Sequence, residues 1–81
     1  MGRITLYSRA GCHLCDVALT TLEPFRSRGE ISIEVVDLDR EALPEKLAAY
    51  TNEVPVIELE GRKIMKYRVD TERLRRLLDL R

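Results

Sequence analysis

Tryptophan is absent from this sequence of 81 residues, and histidine and phenylalanine occur once each. No run of residues approaches the ~20 consecutive apolar positions of a membrane-spanning helix. The opening residues MGRITLYS contain no apolar stretch long enough for a secretory signal, and Leu6 stands where a myristoylation motif requires Ser or Thr. These absences predict a cytoplasmic protein without a membrane anchor.

The sequence has no excess of charge of either sign. Fourteen Lys and Arg residues balance fourteen Asp and Glu residues, which gives a formal net charge of +0 at pH 7. A neutral chain argues against a dedicated surface for nucleic acid or for anionic membranes. The segment ERLRRLLDLR is locally basic, and we interpret it as a solvated helix face.

Cysteine is scarce as well, since Cys12 and Cys15 are the only two. Small secreted proteins that are held together by disulfides use more cysteines than this. A bridge between Cys12 and Cys15 would close a very short loop, so it would remove little entropy from the unfolded chain. Structural stapling is therefore a poor explanation for the pair.

The hydrophobic pattern predicts one α/β domain over residues 1–81, with elements in the order β-α-β-α-β-β-α. The predicted strands cover residues 3–8, 31–39 and two runs within 55–65 that meet at Glu60-Gly61. The predicted helices begin near Cys12, cover residues 40–50 with Pro44 in the first turn, and run from an N-cap at Asp70 through Leu80. The first crossover implies a parallel strand pair, and the late hairpin adds antiparallel strands. We therefore expect a four-stranded mixed sheet with helices on both faces.

Two of the predicted helices carry a clear apolar stripe. In the first helix the stripe residues are Leu14, Val17, Ala18, Leu22 and Phe25. In the last helix they are Leu74, Leu77 and Leu78, and we expect this stripe to be buried. Pro24 should kink or end the first helix because proline has no backbone N–H, and Arg28-Gly29 marks its stop.

The stretch YSRAGCHLC contains both cysteines and the only histidine, and it could hold a metal or perform redox chemistry. A structural zinc site takes four ligands, whereas Cys12, His13 and Cys15 supply three at most and cannot readily converge. The sequence therefore predicts no metal site within one chain. A cluster shared between two chains stays open.

Redox chemistry is favoured by the predicted position of Cys12 where a strand meets a helix. The first helical turn offers unpaired N–H groups and the positive end of the helix dipole, and both stabilise a thiolate. Because the thiolate is the nucleophile, Cys12 can attack a substrate disulfide. Cys15, one turn deeper and less exposed, can then resolve the mixed disulfide. A CxxC pair beside a βαβ pattern is typical of thioredoxin-like redox proteins.

The chain resembles the glutaredoxin-like proteins of the thioredoxin superfamily, through LYSRAGCHLC and NEVPVIELEG. The resemblance implies a thioredoxin-like fold and a cis peptide bond between Val54 and Pro55 that faces the active site. It also implies that Pro55 packs near the disulfide and that the backbone of Val54 pairs with an extended substrate. Thioredoxins carry Trp at the position of Gly11 and a buried Asp at that of Leu6, so the resemblance is to the glutaredoxin side.

Two features depart from the glutaredoxin pattern. The dipeptide between the cysteines is His13-Leu14, and Val69-Asp70 replaces a Gly-Gly turn that helps to hold glutathione in the family. Arg9 either attracts the glycyl carboxylate of glutathione and adds positive potential near the thiolate, or solvates a loop. His13 either stabilises the neighbouring thiolate or is an exposed loop residue.

The leading hypothesis is a monomeric thiol–disulfide oxidoreductase without a bound cofactor, acting on protein or small-molecule disulfides. Glutathione, as a co-substrate, or a flavoprotein reductase would regenerate the Cys12–Cys15 dithiol. The alternative is a thioredoxin-fold binding module, or a carrier of an iron–sulfur cluster that bridges two chains.

Overall fold

The structure, a computed structural model, describes residues 2–79 and has the predicted order of elements. Its strands are β1 (Gly2–Ser8), β2 (Ile31–Asp37), β3 (Val56–Leu59) and β4 (Arg62–Lys66). Its helices are α1 (His13–Ser27), α2 (Pro44–Tyr50) and α3 (Thr71–Leu77). α3 ends at Leu77 with Leu78 as its C-cap, so the prediction that the helix continues past Leu78 was wrong, and Leu80, its predicted end, lies outside the described residues. Within residues 2–79, no helix is long and apolar enough to cross a bilayer.

The four strands form one mixed sheet in the order β2-β1-β3-β4. β1 is parallel to β2 and antiparallel to β3, and β3 is antiparallel to β4. The carboxyl ends of β1, β2 and β4 and the start of β3 therefore lie at the same end of the strands. We call this end of the sheet the β1 carboxyl edge. The loop that leads to Cys12 leaves β1 at this edge.

Helices cover both faces of the sheet, as predicted. On one face, α1 and α3 pack against strand residues that include Ile4, Leu6 and Ile57. On the other face, α2 packs against Tyr7 and Val56. Successive strand residues point to opposite faces, so Leu6 and Tyr7 serve different cores.

Two residues of the predicted apolar stripes are exposed. Val17 and Leu77 are each 43% exposed, so the prediction that Leu77 belongs to a buried stripe was wrong, and Val17 does not lie on the buried face of α1. In α1 the buried residues are Cys15, Ala18, Leu22 and Phe25. Val17 lies about 100° around the helix from Ala18, beyond the sheet. Leu77 likewise lies about 100° around α3 from Leu78, and Leu78 packs against the core that contains Leu74.

The helix bounds agree with the prediction at one proline and differ at another. α1 continues past Pro24, which is exposed, and ends where predicted, with Ser27 as its last residue, Arg28 as the C-cap and Gly29 at φ +76°. α2 begins at Pro44 and not at residue 40, because proline suits the first helical position and disfavours helical conformation in the residue before it. The second strand likewise ends at Asp37, two residues earlier than predicted.

Candidate active site

Cys12 and Cys15 form a disulfide at the start of α1, with their Cα atoms 5.2 Å apart. Cys12 is the N-cap of the helix and is half-buried, whereas Cys15 is only 3% exposed. The Sγ atom of Cys12 accepts a hydrogen bond from the backbone N–H of Cys15 at 3.1 Å. This N–H is among those that the first helical turn leaves without a backbone partner, so it can stabilise negative charge on Sγ. The two cysteines thus differ in exposure in the predicted direction.

A tight turn presents Cys12 at the end of β1. The N–H of Cys12 donates to the carbonyl of Arg9 at 3.3 Å, and Gly11 has φ +76°. A Cβ atom at Gly11 would meet no other atom within 4 Å. Glycine is therefore favoured here by its backbone conformation and not by lack of space.

The peptide bond between Val54 and Pro55 is cis, as the resemblance implies. Pro55 is buried and directly precedes Val56, which pairs with Tyr7 near the end of β1. The cis bond and the loop before α1 consequently lie at the same β1 carboxyl edge. The carbonyl of Pro55 accepts a hydrogen bond from the N–H of Tyr67 at 2.7 Å. Neither backbone polar group of Val54 finds a partner within residues 2–79.

Arg9 joins three loops at this edge. Its Nε and one terminal nitrogen donate to the two carboxylate oxygens of Asp39, at 3.1 and 2.9 Å. The other contacts are to Thr51, whose carbonyl lies at 2.7 Å and whose Oγ1 lies at 3.0 Å. The guanidinium is thus held by the loops after β2 and after α2. Its binding of a substrate carboxylate stays a prediction, while the structure adds a role in holding the site together.

His13 is the first residue of α1, next to Cys12, and its side chain is exposed. Its predicted stabilisation of the thiolate stays a prediction. Among residues 2–79, no three His, Cys, Asp or Glu side chains come close enough together to hold a metal ion.

Comparison with known proteins places the chain in a family. The model of the glutaredoxin-like domain (DUF836) matches residues 3–79. The chain belongs to this glutaredoxin-like family. The "Glutaredoxin-like protein YDR286C homolog" of Dictyostelium discoideum is 29% identical over 75 residues, which are 88% of this chain and 69% of that protein.

Solved structures agree with the glutaredoxin-like fold. The X. campestris structural genomics target protein XcR50 is 36% identical with a TM-score of 0.71, over 94% of this chain and 95% of that one. A protein of unknown function from Staphylococcus aureus has a TM-score of 0.70 at 12% identity, over 96% and 88% of the two chains. A mutant thioredoxin from Halobacterium salinarum NRC-1 has a TM-score of 0.61 at 17% identity, over 96% and 72%. The last two likenesses show the thioredoxin-like fold alone.

The glutaredoxin-like chain has side chains where the Gly-Gly turn of glutaredoxins was expected. The Asp70 carboxylate accepts a hydrogen bond from the N–H of Arg73 at 3.0 Å and so caps α3. Val69 is half-buried and packs against the core between the sheet and α1. Both side chains at this turn therefore serve the packing and capping of α3.

A buried carboxylate on the α2 face was not predicted from the sequence. Glu58 is 3% exposed, and its Oε2 accepts hydrogen bonds from Lys46 Nζ at 2.6 Å and from Tyr50 Oη at 2.8 Å. The ring of Tyr7 lies edge-on to that of Tyr50, with centroids 5.2 Å apart. Burial and the nearby Glu58 carboxylate raise the pKa of both tyrosines. The feature of the sequence that could have indicated this buried carboxylate is the single Glu within the apolar strand sequence VIEL.

Proposed function

We propose that the protein is a thiol–disulfide oxidoreductase in which Cys12 is the attacking residue and Cys15 the resolving residue. The observation that supports this most is the position of Cys12 as the half-buried N-cap of α1, with its Sγ 3.1 Å from the N–H of the buried Cys15. A thiolate in this position gains a charge-assisted hydrogen bond and the field of the helix N-terminus.

The reaction is a pair of thiol–disulfide exchanges. The Cys12 thiolate attacks one sulfur of a substrate disulfide, forming a mixed disulfide and releasing the other sulfur as a thiolate. The Cys15 thiol loses its proton and attacks Cys12 Sγ, which releases the second substrate sulfur and closes the Cys12–Cys15 bond. Two electrons pass to the substrate. A thiol or flavoprotein reductant then returns two electrons and two protons to the pair.

The substrate backbone would bind at Val54. Its N–H and C=O have no partner within residues 2–79 and lie beside the cis bond, at the edge that carries the loop to Cys12. An extended substrate segment can form strand-like hydrogen bonds with these groups, as in peptide recognition by strand addition. Such pairing would hold the substrate disulfide without any side-chain specificity.

A protein or flavoprotein reductant fits this site better than glutathione does. The guanidinium of Arg9, the group expected to attract a glutathione carboxylate, is already bound by Asp39 and Thr51. The Asp70 carboxylate, at the turn that would hold the other end of glutathione, caps α3.

The proposed enzyme would work in the cytoplasm, as a monomer and without a bound cofactor.

Cysteine substitutions test the proposal. With a model disulfide substrate under pseudo-first-order conditions, Cys12→Ser should lower the rate of reduction at least ~100-fold, because the nucleophile is lost. Cys15→Ser should keep the first step and accumulate one covalent adduct per chain, which intact-protein mass spectrometry would detect. Full activity of Cys12→Ser would refute the mechanism. Iron bound across two chains after anaerobic purification would instead favour the cluster-carrier alternative.

A further inference from the structure

The balanced net charge of the chain hides a strong asymmetry along the sequence. Residues 61–81 contain eight of the fourteen Lys and Arg residues but only three of the fourteen Asp and Glu residues. This segment therefore carries a net charge of +5 and residues 1–60 carry −5. The described part of this segment, residues 61–79, contains β4, the turn after it and α3.

The fold places these basic elements side by side. β4 is an edge strand, and α3 runs back along it from the β1 carboxyl edge, with Leu74 in the same core as Met65. At the far end, Leu77 and Arg62 line the same shallow groove. The exposed cations of these basic elements include Arg62, Lys63, Lys66, Arg68, Arg73 and Arg76, and we call the surface that these six form around the edge strand β4 the basic face. Lys63 and Lys66 lie towards the α2 side of β4, since both pair with Glu53 and Lys63 Nζ is 5.5 Å from the ring centroid of Tyr50. Arg75 is not part of the basic face, because its guanidinium lies over the ring of Phe25 on α1.

Most of the basic face is not neutralised by the chain itself. Lys63 and Lys66 share one carboxylate, that of Glu53. Within residues 2–79, no carboxylate pairs with the remaining four arginines of the face. Lysines on an edge strand discourage pairing with other sheets. That explanation covers the β4 lysines but not the arginines of the turn and of α3.

One end of the basic face reaches the candidate active site. Lys66 pairs with Val56 in the sheet, and Tyr67 donates its N–H to the carbonyl of Pro55. Arg68 follows directly in the turn that leads to α3. A molecule that contacts Arg68 and Lys66 is therefore next to the cis-Pro segment, where the substrate backbone would bind.

From this geometry we infer that the basic face binds an acidic segment of a protein partner and selects disulfide substrates that are flanked by Asp and Glu residues. The inference rests on the proposed oxidoreductase function. Positive charge beside the site attracts an anionic partner and accelerates encounter. A nucleic acid fits less well, because it is a long polyanion and the rest of this molecule, whose longest dimension is 36 Å, carries −5.

Three synthetic peptides test the substrate class. They share one disulfide and differ only in the flanking residues, which are Glu, Ser or Lys. The reduced protein at ~10 mM salt should react at least tenfold faster with the Glu peptide than with the Lys peptide. The ratio should approach one near 1 M salt, where the Debye length is ~3 Å.

Charge reversal tests the location. Arg68→Glu/Arg73→Glu should bring the Glu-to-Lys rate ratio close to one. Arg26→Glu/Arg40→Glu changes the net charge equally at exposed positions outside the basic face, and it should keep the ratio at tenfold or more. Equal loss of the ratio in both variants would contradict the assignment to this face.

The remaining outcomes separate this inference from the proposed function. Equal rates for the three peptides with the unmodified chain would overturn the inference and leave the oxidoreductase intact. If no peptide is reduced, the proposed function fails. The inference is then decided by fluorescence anisotropy with Cys12→Ser/Cys15→Ser and a labelled Glu peptide without cysteine. Tighter binding of a labelled single-stranded oligonucleotide than of that peptide would also overturn it.

Discussion

Arg9 holds together three loops that are far apart in the sequence. Its guanidinium bonds Asp39, 30 residues away, and Thr51, 42 residues away, while its own carbonyl accepts the N–H of Cys12. At the scale of single residues, the loop before the first cysteine and the loop before the cis bond are therefore mechanically connected. The side chain of Arg9, which was expected to bind a ligand, is thus bound within the protein.

Replacing Arg9 should weaken both stability and turnover. Arg9→Ala removes charged hydrogen bonds in a half-buried place and should cost about 1–2 kcal/mol in the free energy of urea unfolding. Arg9→Lys, which keeps the charge but cannot bridge both partners, should recover only part of the loss. Arg40→Ala is the matched control, since its exposed side chain makes no hydrogen bond within residues 2–79. Equal midpoints for Arg9→Ala and Arg40→Ala would contradict the bridging role.

The same variants report on positioning. If Arg9 only stabilises the fold, Arg9→Ala that is fully folded at low temperature should reduce disulfides with unchanged kcat and KM. If it aligns the cis-Pro segment with Cys12, KM for a peptide disulfide should rise, and KM for a small aromatic disulfide that needs no backbone pairing should stay the same.

At the scale of an element, α1 is shaped by its two ends more than by its interior. The sulfur of Cys12 caps its first turn, while Arg28 and Gly29 end it. Pro24 interrupts the hydrogen-bond ladder without stopping the helix, because the buried residues Leu22 and Phe25 on either side of it pack into the core. Tertiary packing thus outweighs the local preference against proline.

Pro24→Ala should stabilise the protein. Alanine restores an N–H that can bond the carbonyl of Thr20 and removes the clash between the proline ring and that carbonyl. The gain is reduced because proline restricts the unfolded chain, which leaves about 1–2 kcal/mol. Thr20→Ala, an exposed change in the same helix, should gain at most about 0.5 kcal/mol through propensity alone. A melting temperature that Pro24→Ala leaves unchanged or lowers would contradict this account.

At the scale of the whole molecule, the Glu58 cluster ties α2 to the centre of the sheet. The hydrogen bond that Lys46 donates to Glu58 raises the pKa of Lys46. Burial, followed by the hydrogen bond to Glu58, raises the pKa of Tyr50, and burial, followed by the Glu58 charge, raises the pKa of Tyr7. Groups with raised pKa values keep their protons to a higher pH in the folded protein than in the unfolded chain. The stability that they contribute is complete below the ordinary values near 10 and falls as pH rises through the folded values.

Alkaline unfolding tests this link. The free energy of unfolding should decline as pH rises above about 10. Glu58→Gln should be less stable at pH 7, because Lys46 loses its charged partner, and its alkaline decline should be shallower.

Glu53→Gln is the control for the decline of the unfolding free energy at alkaline pH. Hydrogen bonds from Lys63 and then Lys66 lower the pKa of Glu53, so its contribution is present above the ordinary carboxyl value near 4.3 and is lost as pH falls. Glu53→Gln should reduce the loss of unfolding free energy at acid pH (the acid limb) and leave the loss at alkaline pH (the alkaline limb) unchanged. Identical alkaline slopes for the unmodified chain and Glu58→Gln would show that the cluster does not control that limb.

Local sequence patterns were sufficient to predict the architecture and the position of the cysteine pair. Alternating apolar residues, the Glu60-Gly61 turn and the CxxC spacing are properties of neighbouring residues. The element order, the mixed sheet and the helix-start position of Cys12 could therefore be predicted. The motif around Val54-Pro55 also carried the cis bond, although only through resemblance to a family.

Contacts between distant residues were decided only by the tertiary structure. The partners of Arg9 and the burial of Glu58 depend on strand order and on which face each residue occupies. Whether Val17 is buried depends on how wide a stripe of α1 the sheet can cover. The collection of cations from β4 and α3 around the edge strand follows from the direction in which α3 runs back. None of these is a property of a short stretch of sequence, because each requires the relative placement of whole elements, which is set by the summed packing of the core.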